Sequence, residues 1–343
     1  MTDRPAVLRL EASANAWDAF VARTPEATFC HLSGWRDIMA DVLGHECHYS
    51  AAVDDEGTWC GVLPLVRVRS PLFGSYLVSM PFLNYGGPSG DVTAQGQLSQ
   101  FALREARRLN AGLLELRNRQ PVSSPLTVHA RKITVLLPLP DSASQLWDRF
   151  PSKLRSQIRR ATKAELESRF GLDQLDPFYD VFSRNMRDLG TPVMPRPWFD
   201  AIARTFPQLV QFGVVYHRGV PVAGGCGFLW RGEFEITWAS SLREFNQLAP
   251  NMLLYWSFMS RLVELNVRTF NFGRCTPDSG THRFKAQWGG TDVPLPWAQW
   301  SPTKVKATPS PDRRAYRMAA AVWRRLPLPL TNRVGPVLAR VIP

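Results

Sequence analysis

The stretch NFGRCTPDSGTHRFKAQWGG, residues 271–290, places Arg274, Cys275, His282, Phe284, Lys285 and Trp288 just behind a short apolar run, Thr269 to Phe272. Ser279 or Thr281 is a candidate N-cap, which puts Lys285 about one turn inside a short helix whose first N–H groups favour negative charge. A lysine so placed can neutralise charge developing on a tetrahedral transition state, while Phe284 and Trp288 exclude water around it. The competing arrangement makes Phe284 and Trp288 core anchors at i, i+4 and leaves Lys285 outside. Cys275 has only His282 at any suggestive spacing, so a nucleophilic thiol is a minor alternative.

Three further stretches carry candidate chemistry. In KLRSQIRRATK, Arg155, Arg159 and Lys163 recur at i, i+4, i+8 and line one helix face, with Lys153 and Arg160 beside them. Such a stripe is either a solvated face or a phosphate-binding one, because guanidinium groups grip phosphate oxygens bidentately. In SMPFLNYGGPSGD, residues 79–91, Tyr85 precedes a Gly-Gly-Pro turn and Asp91 follows it, a hydrogen-bond donor and a carboxylate beside backbone that a ligand can approach closely. Glu235 in EFEITW is a second candidate base, since strand alternation sets it opposite Phe234, Ile236 and Trp238. It has a plain solvent-facing reading as well. His45, Cys47 and His48 in GHECHY are half a zinc set with no second cluster to complete it, so no metal is expected.

The elements that must hold these residues repeat. YSAAVDDEGTWCGVLPLVRV (49–68) and QFGVVYHRGVPVAGGCGFLW (211–230) each read as an apolar strand, a polar turn ending in Gly57 or Gly219, and a second apolar strand. After the first, Leu98 to Asn110 has helical spacing and GLLELRN is a strand; after the second, Leu253 to Leu265 is a helix startable at Pro250 or Asn251, and VRTFNFG is the strand. The offset is a domain length, too long for a solenoid repeat. Between the copies DSASQLWDRFPSKLRSQIRRATKAEL is helical in pattern, with Asp141 or Ser142 as its cap. The expectation is a mixed α/β fold: domain 1 over 1–140, a basic helical linker over 141–170, domain 2 over 171–303 and a basic tail over 304–343.

Composition agrees with a globular two-domain chain: 343 residues, 45% hydrophobic and 20% charged. No apolar run is long enough to span a bilayer and the N-terminus has no apolar leader, so the expected location is cytoplasmic. Five cysteines without a C-x-x-C pair read as reduced thiols rather than a disulfide framework. The net charge is +12, and from Lys304 onward nine basic residues face Asp312 alone. Within that tail RRAYRMAAAVWRR has a helical look, with Tyr316, Ala320 and Trp323 on one side, and LPLPL breaks it. A basic amphipathic helix of this kind suits an anionic membrane surface or a polyanion, and equally a solvated or domain-packing helix.

FNFGRCTPDSGTHRFKAQWGG, preceded by NQLAPNMLLYWSFMSRLVELNV, resembles the terminal motif of the FemAB-like family, a branch of the GNAT acyltransferase superfamily. GVLPLVRVRSPLFGSYLVSMPFLNYGGP is similar to the family's first-domain segment, and LRSQIRRATKAEL to its basic inter-domain helix. Within the family the chain looks most similar to members associated with PEP-CTERM/exosortase and exopolysaccharide systems. The resemblance implies two tandem GNAT-like domains and transfer of an acyl or aminoacyl group to an amine on a peptidoglycan-like, exopolysaccharide or other cell-envelope precursor. No tightly bound cofactor is implied; the donor, aminoacyl-tRNA or acyl-CoA, is a co-substrate. The family's Phe-Lys pair falls on Phe284-Lys285, its phosphate-holding helix on Arg155 and Arg159, and its first-domain loop approximately on Tyr85 and Asp91. Lys163 and Arg274 complete the expected substrate-binding set.

Two departures bear on substrate. The family's phosphate-contacting lysine after an early tryptophan has no counterpart in Trp35-Arg36-Asp37-Ile38-Met39, which argues against a nucleotide-linked muropeptide. The CoA-binding loop of GNAT enzymes, R-x-x-G-x-G/A, has no glycine in its counterpart Arg243 to Pro250, which ranks a tRNA-borne or longer-chain donor above acetyl-CoA. The expected mechanism is direct attack by a neutral amine on an activated carbonyl, with backbone N–H groups at a splayed strand and Lys285 stabilising the oxyanion, and Asp91 or Glu235 as base. The alternatives are an acyl-CoA-dependent transferase acting on a small molecule, and a non-catalytic protein binding polyanions or membrane surface, peripheral to the inner face of the membrane through residues 304–343.

Overall fold

The computed structural model describes residues 6–9, 13–71, 74–302 and 314–342. The chain divides into two compact units: the first takes the residues up to Lys132, those from Pro294, and those from Arg340; the second takes Ile133–Val293 and the last helices up to Ala339. Lys304, Lys306 and Arg313 of the basic tail lie outside the described residues.

The first unit contains β1 (Ala6–Arg9), α1 (Ala14–Arg23), α2 (Gly34–Leu43), β2 (Glu46–Val53), β3 (Trp59–Ser70), β4 (Gly74–Ser79), β5 (Ser89–Gly90), α3 (Val92–Arg108) and β6 (Leu113–Leu116). The chain then runs along β7 (Thr127–Pro138) into the second unit, with α4 (Ala143–Arg149), α5 (Ser152–Lys163), β8 (Leu166–Phe170), α6 (Leu175–Leu189), α7 (Arg196–Thr205), β9 (Val210–His217), β10 (Val220–Trp230), β11 (Glu233–Ser241), α8 (Pro250–Glu264), β12 (Thr269–Cys275) and α9 (Gly280–Ala286). β13 (Thr291–Trp300), α10 (Arg314–Trp323) and α11 (Leu328–Ala339) follow.

Strand order in the first unit is β1-β2-β3-β4-β6, extended by the end of β13, with β5 beside β3. In the second it is β7-β12-β11-β10-β9-β8. The repeat read from the sequence is present in both. β2–β3 and β9–β10 are antiparallel hairpins, and Gly57 (φ +81°) and Gly219 (φ +79°) hold the left-handed turn conformation that an L side chain resists. A third antiparallel strand follows, β4 or β11, then a helix, α3 or α8, then a strand parallel to the third, β6 or β12.

Each helix buries one face on its own sheet. In the first unit Ala94, Leu98, Ala102 and Ala106, spaced by four along α3, meet Leu63, Leu65 and Leu77. In the second, Leu254, Phe258 and Leu262 of α8 meet Val215, Phe234 and Phe270. A Cβ added at Gly225 of β10 would stand 3.0 Å from the Phe258 ring, so the glycine is what lets α8 sit this close. Full burial of side chains of this size contributes roughly 1.5–3 kcal/mol each.

Two local expectations need correcting. The helical pattern over 141–166 is not one helix: Pro151, unable to donate to the preceding turn, separates α4 from α5. Ser142, not Asp141, caps α4, its hydroxyl accepting from Gln145 N at 3.3 Å. In the tail LPLPL interrupts the helix only briefly, because Pro329 falls in the first turn of α11, where its missing N–H has no partner to lose.

Candidate functional site

β11 and β12 are parallel neighbours for three residues only, Glu233–Glu235 against Thr269–Asn271. Beyond them β11 remains paired with β10 as far as Ser241, and β12 remains paired with β7 as far as Cys275. The facing edges therefore open, and from Ile236 onward β11 presents backbone polar groups that no strand among the described residues takes up on that side. Register shifts at Cys226/Gly227 and between Asn271 and Arg274 bend the strands that flank the opening. Gly273 provides the second bend with φ +69°.

A buried polar cluster stands at the fork. Asn271 is fully enclosed; its Oδ1 accepts from the Thr134 hydroxyl at 2.6 Å and from Gly273 N at 2.8 Å. Its Nδ2 donates to Glu233 Oε1 at 2.8 Å and, more weakly, to Glu235 Oε2 at 3.4 Å. The donors on Oδ1 fix the amide's orientation and so aim its N–H groups at the two carboxylates. Glu235 is 2% exposed, which removes its solvent-facing reading, and Thr237 Oγ1 donates to its Oε1 at 3.3 Å.

Lys285 is 5% exposed, and its Nζ donates to the carbonyls of Gly273 at 2.7 Å and Arg274 at 3.0 Å. Burial pulls its pKa down from 10.5 to about 8, with Cys275 and Glu235 opposing the fall and the Arg274 guanidinium adding to it. The ammonium is thus charged at neutral pH, buried, and electrostatically linked to Glu235.

Aromatic packing puts it there. Tyr255 of α8 stacks on Phe272 with centroids 5.7 Å apart, takes Phe284 edge-on at 5.0 Å and lies 6.0 Å from Trp288. Trp288 meets Phe150 edge-on at 5.4 Å. Phe284 and Trp288 are core anchors at i, i+4, yet the residue between them turns inward: the arrangement that would have left Lys285 outside is not the one observed. Ser279 caps α9, accepting from His282 N at 3.1 Å. His282 takes Asp278 N on Nδ1 at 3.0 Å and places Nε2 2.8 Å from Asp292, so its ring is occupied away from Cys275.

On α5 the inward face is Leu154, Ile158 and Ala161. Arg155 is half-buried with an Nε that has no hydrogen-bond partner among the described residues. Arg159 and Lys163 are exposed, and the Arg159 guanidinium lies 5.4 Å from the Trp147 ring centroid. Arg274 is half-buried. The loop before α8 is a 3₁₀ turn over Arg243–Leu248. It ends on Ala249 at φ +56°, whose carbonyl accepts from Met252 N at 3.0 Å.

Tyr85 and Asp91 belong to the first unit. Tyr85 is 1% exposed under the Arg119 guanidinium, 5.3 Å from its ring centroid, and lines a cavity of about 40 Å³ with His31, Gly87 and Asn118. Its loop is pinned by His31: Thr28 N donates to Nδ1 at 3.0 Å, so Nε2 carries the proton given to Gly87 O at 2.8 Å. Burial keeps that imidazole neutral by lowering its pKa. Asp91 is an N-cap, its carboxylate accepting from Ala94 N at 2.7 Å.

Sequence reasoning missed Asn271 and Thr134, and it missed a buried pair in the first unit. Arg117 is 4% exposed and donates to Glu115 Oε1 at 2.8 Å, Leu83 O at 2.8 Å and Met80 O at 3.3 Å. The signal available was a charged pair two residues apart at the end of an otherwise apolar strand, LLELR.

The two units are tandem GNAT-like α/β domains, each a three-stranded antiparallel run, a helix and a parallel strand. Residues 149–286, less than half of the chain, match the family model for an acetyltransferase (GNAT) domain, and that segment contains Glu235, Asn271 and Lys285. Among solved structures FemX is similar at TM-score 0.65 and 14% identity, over 86% of this chain and 97% of its own. L-PGS from Bacillus licheniformis is similar at TM-score 0.57 and 11% identity, over 98% of both chains. The C-terminal domain of a putative lysylphosphatidylglycerol synthetase from Agrobacterium fabrum follows at TM-score 0.55 and 13% identity, over 83% of this chain and 91% of its own. Identities this low establish likeness of fold. No curated protein sequence matches the chain.

Proposed function

We propose that the chain is a FemAB-like N-acyltransferase, transferring an acyl or aminoacyl group to an amine on an anionic cell-envelope or exopolysaccharide precursor, with the chemistry in the second unit. The observation that carries this is the fork between β11 and β12, with a buried ammonium and a buried carboxylate at its base. An activated ester or thioester lies in the fork so that its carbonyl oxygen meets free N–H groups of the β11 edge. The neutral amine attacks, a C–N bond forms, and Lys285 with the strand N–H groups holds the oxyanion. Glu235 takes the amine's proton and returns it to the departing carrier oxygen or sulfur as the C–O or C–S bond of the donor breaks. Asn271 is a positioning residue that orients Glu235.

Aligning the parallel pairs explains why the second unit is chosen. Tyr76–Val78 pair with Leu113–Glu115 as Glu233–Glu235 pair with Thr269–Asn271. Val78 then corresponds to Glu235, Glu115 to Asn271 and Arg117 to Gly273. The first unit has an apolar residue where the base would be. Its corresponding fork is tied by Arg117 to the carbonyls of Met80 and Leu83, and by Arg117 N to Ser79 Oγ at 2.7 Å. Asp91, engaged as the α3 cap, takes no part in the proposed chemistry.

The donor favoured is a tRNA-linked or other longer acyl carrier. A pyrophosphate cradle needs successive free N–H groups, and the turn before α8 has no glycine and gives Met252 N to Ala249 O. Exposed Arg159, Arg160 and Lys163 on α5, with Arg155 and Arg274, supply phosphate contacts for a polyanionic donor or acceptor. An acyl-CoA-dependent reaction on a small amine is the second reading, supported by the acetyltransferase description of the matching domain model. The association with PEP-CTERM/exosortase systems and the peripheral placement at the inner membrane face are part of the proposal. The test offers aminoacyl-tRNA and acyl-CoA pools with amino-sugar and muropeptide acceptors, and detects product by mass spectrometry. Transfer from either donor that is lost in Glu235→Gln supports the site; equal transfer by that variant refutes it.

A further inference from the structure

α10 and α11 are built inside out. Their buried positions hold small residues: Ala320 on α10, and Thr331, Gly335 and Ala339, spaced by four, on α11. Large apolar side chains face solvent instead: Met318 and Val322 at 62% exposure, Val337 at 54%, Leu330 at 44% and Val334 at 38%. Small residues are needed where the helices touch the second unit. A Cβ on Gly190 would come within 2.7 Å of Ala320, and one on Gly335 within 3.1 Å of Val193. The Arg324 guanidinium donates to Leu189 O at 3.2 Å, which sets Leu189, itself 46% exposed, beside the same face.

Five large hydrophobic side chains turned to water within 20 residues mark a surface for contact. What covers them is indicated by charge. Arg317, Arg325 and Arg333 are exposed alongside, and no acidic residue occurs after Asp312. Helices whose only charged residues are arginines, set beside these apolar side chains, are complementary to the headgroup and upper acyl region of a bilayer rich in anionic lipid: the apolar side chains enter the acyl boundary and the guanidinium groups hold phosphates. Among the described residues no helix is long and apolar enough to cross a membrane, so an in-plane contact is what these helices can make.

We propose that the α10–α11 helices form the docking surface by which the chain lies on an anionic membrane, through Met318, Val322, Leu330, Val334 and Val337 with Arg317, Arg325 and Arg333. The proposal gives residues to the peripheral placement suggested above. It does not depend on the transfer reaction, since the assay below measures no catalysis.

The test is co-sedimentation of the full chain with vesicles of phosphatidylcholine alone and of phosphatidylcholine with phosphatidylglycerol, at low and high salt, with light scattering of the protein without lipid. Binding to the anionic vesicles, weakened by salt and weak on phosphatidylcholine, is the expected result. At about 1 kcal/mol per guanidinium, the double variant Arg325→Gln/Arg333→Gln should bind roughly thirtyfold more weakly. Val337→Glu paired with Met318→Glu should lose binding while keeping the wild-type melting temperature, because both side chains are exposed. Equal binding by wild type and both double variants overturns the proposal. So does a concentration-dependent dimer that Met318→Glu/Val337→Glu converts to monomer without any vesicle binding by wild type; the strip would then face a second copy.

Discussion

Replacing Lys285 by Met should inactivate the protein and change how its stability varies with pH. The ammonium is nearly enclosed, and its pKa falls from 10.5 to about 8, chiefly through loss of hydration. At about 1.4 kcal/mol per tenfold change in proton affinity, that fall corresponds to roughly 3 kcal/mol of stability forgone wherever both folded and unfolded chains carry the proton, which is below pH 8. Between about 8 and 10.5 the unfolded chain binds the proton more than the folded one, so this contribution to stability rises with pH. Methionine has similar length and no charge. It loses two hydrogen bonds to carbonyls, worth roughly 1.5–3 kcal/mol each when the donor is charged, which matches or exceeds what is regained at pH 7. The pH dependence is not offset. Urea unfolding of wild type and Lys285→Met at pH 7 and pH 10 should show the difference between them moving by roughly 2 kcal/mol in favour of wild type on raising the pH. A difference that stays constant refutes the desolvated ammonium, and with it the idea that charge is held at the fork at a cost in stability.

Three other perturbations follow from the same geometry. Glu235→Gln keeps the shape and the bond to Asn271 but cannot take a proton; kcat should drop by roughly 10²–10⁴ with KM and melting temperature little changed, measured by steady-state kinetics and calorimetry. Gly273→Ala puts a Cβ on a residue at φ +69° and should cost roughly 1–2 kcal/mol in urea unfolding. It also displaces the carbonyl that holds Lys285 and should lower kcat. Arg117→Ala strips a buried carboxylate, Glu115, of its cationic partner and should destabilise by roughly 3–5 kcal/mol, an effect read in the melting of the first unit.

The duplicated architecture was legible because it is written in local signals: two hairpin glycines at positive φ, two helices with apolar positions every three or four residues, and apolar strands between them. The motif around Lys285 was legible too, though the decisive feature was not. Sequence spacing sees Phe284 and Trp288 as anchors and leaves the residue between them undetermined; its inward turn depends on Tyr255 and Phe272, which come from α8 and β12. Glu235 had two readings because alternation along one strand does not say which face another layer covers. Asn271 and Thr134 escaped notice because they are 137 positions apart in the chain and meet only through the β7–β12 register. Asp91 looked like a base in a glycine-rich loop for the same residue preferences that make aspartate a helix cap.

The most direct test of where the chemistry resides is single-turnover acyl transfer, followed by mass spectrometry of the acceptor, for wild type, Glu235→Gln, Lys285→Ala and the first-unit control Asp91→Asn. Expected is product from wild type and from Asp91→Asn, with the two second-unit variants folded and at least a hundredfold slower. Transfer that survives in Glu235→Gln and Lys285→Ala but fails in Asp91→Asn would contradict the placement of the reaction at the β11–β12 fork.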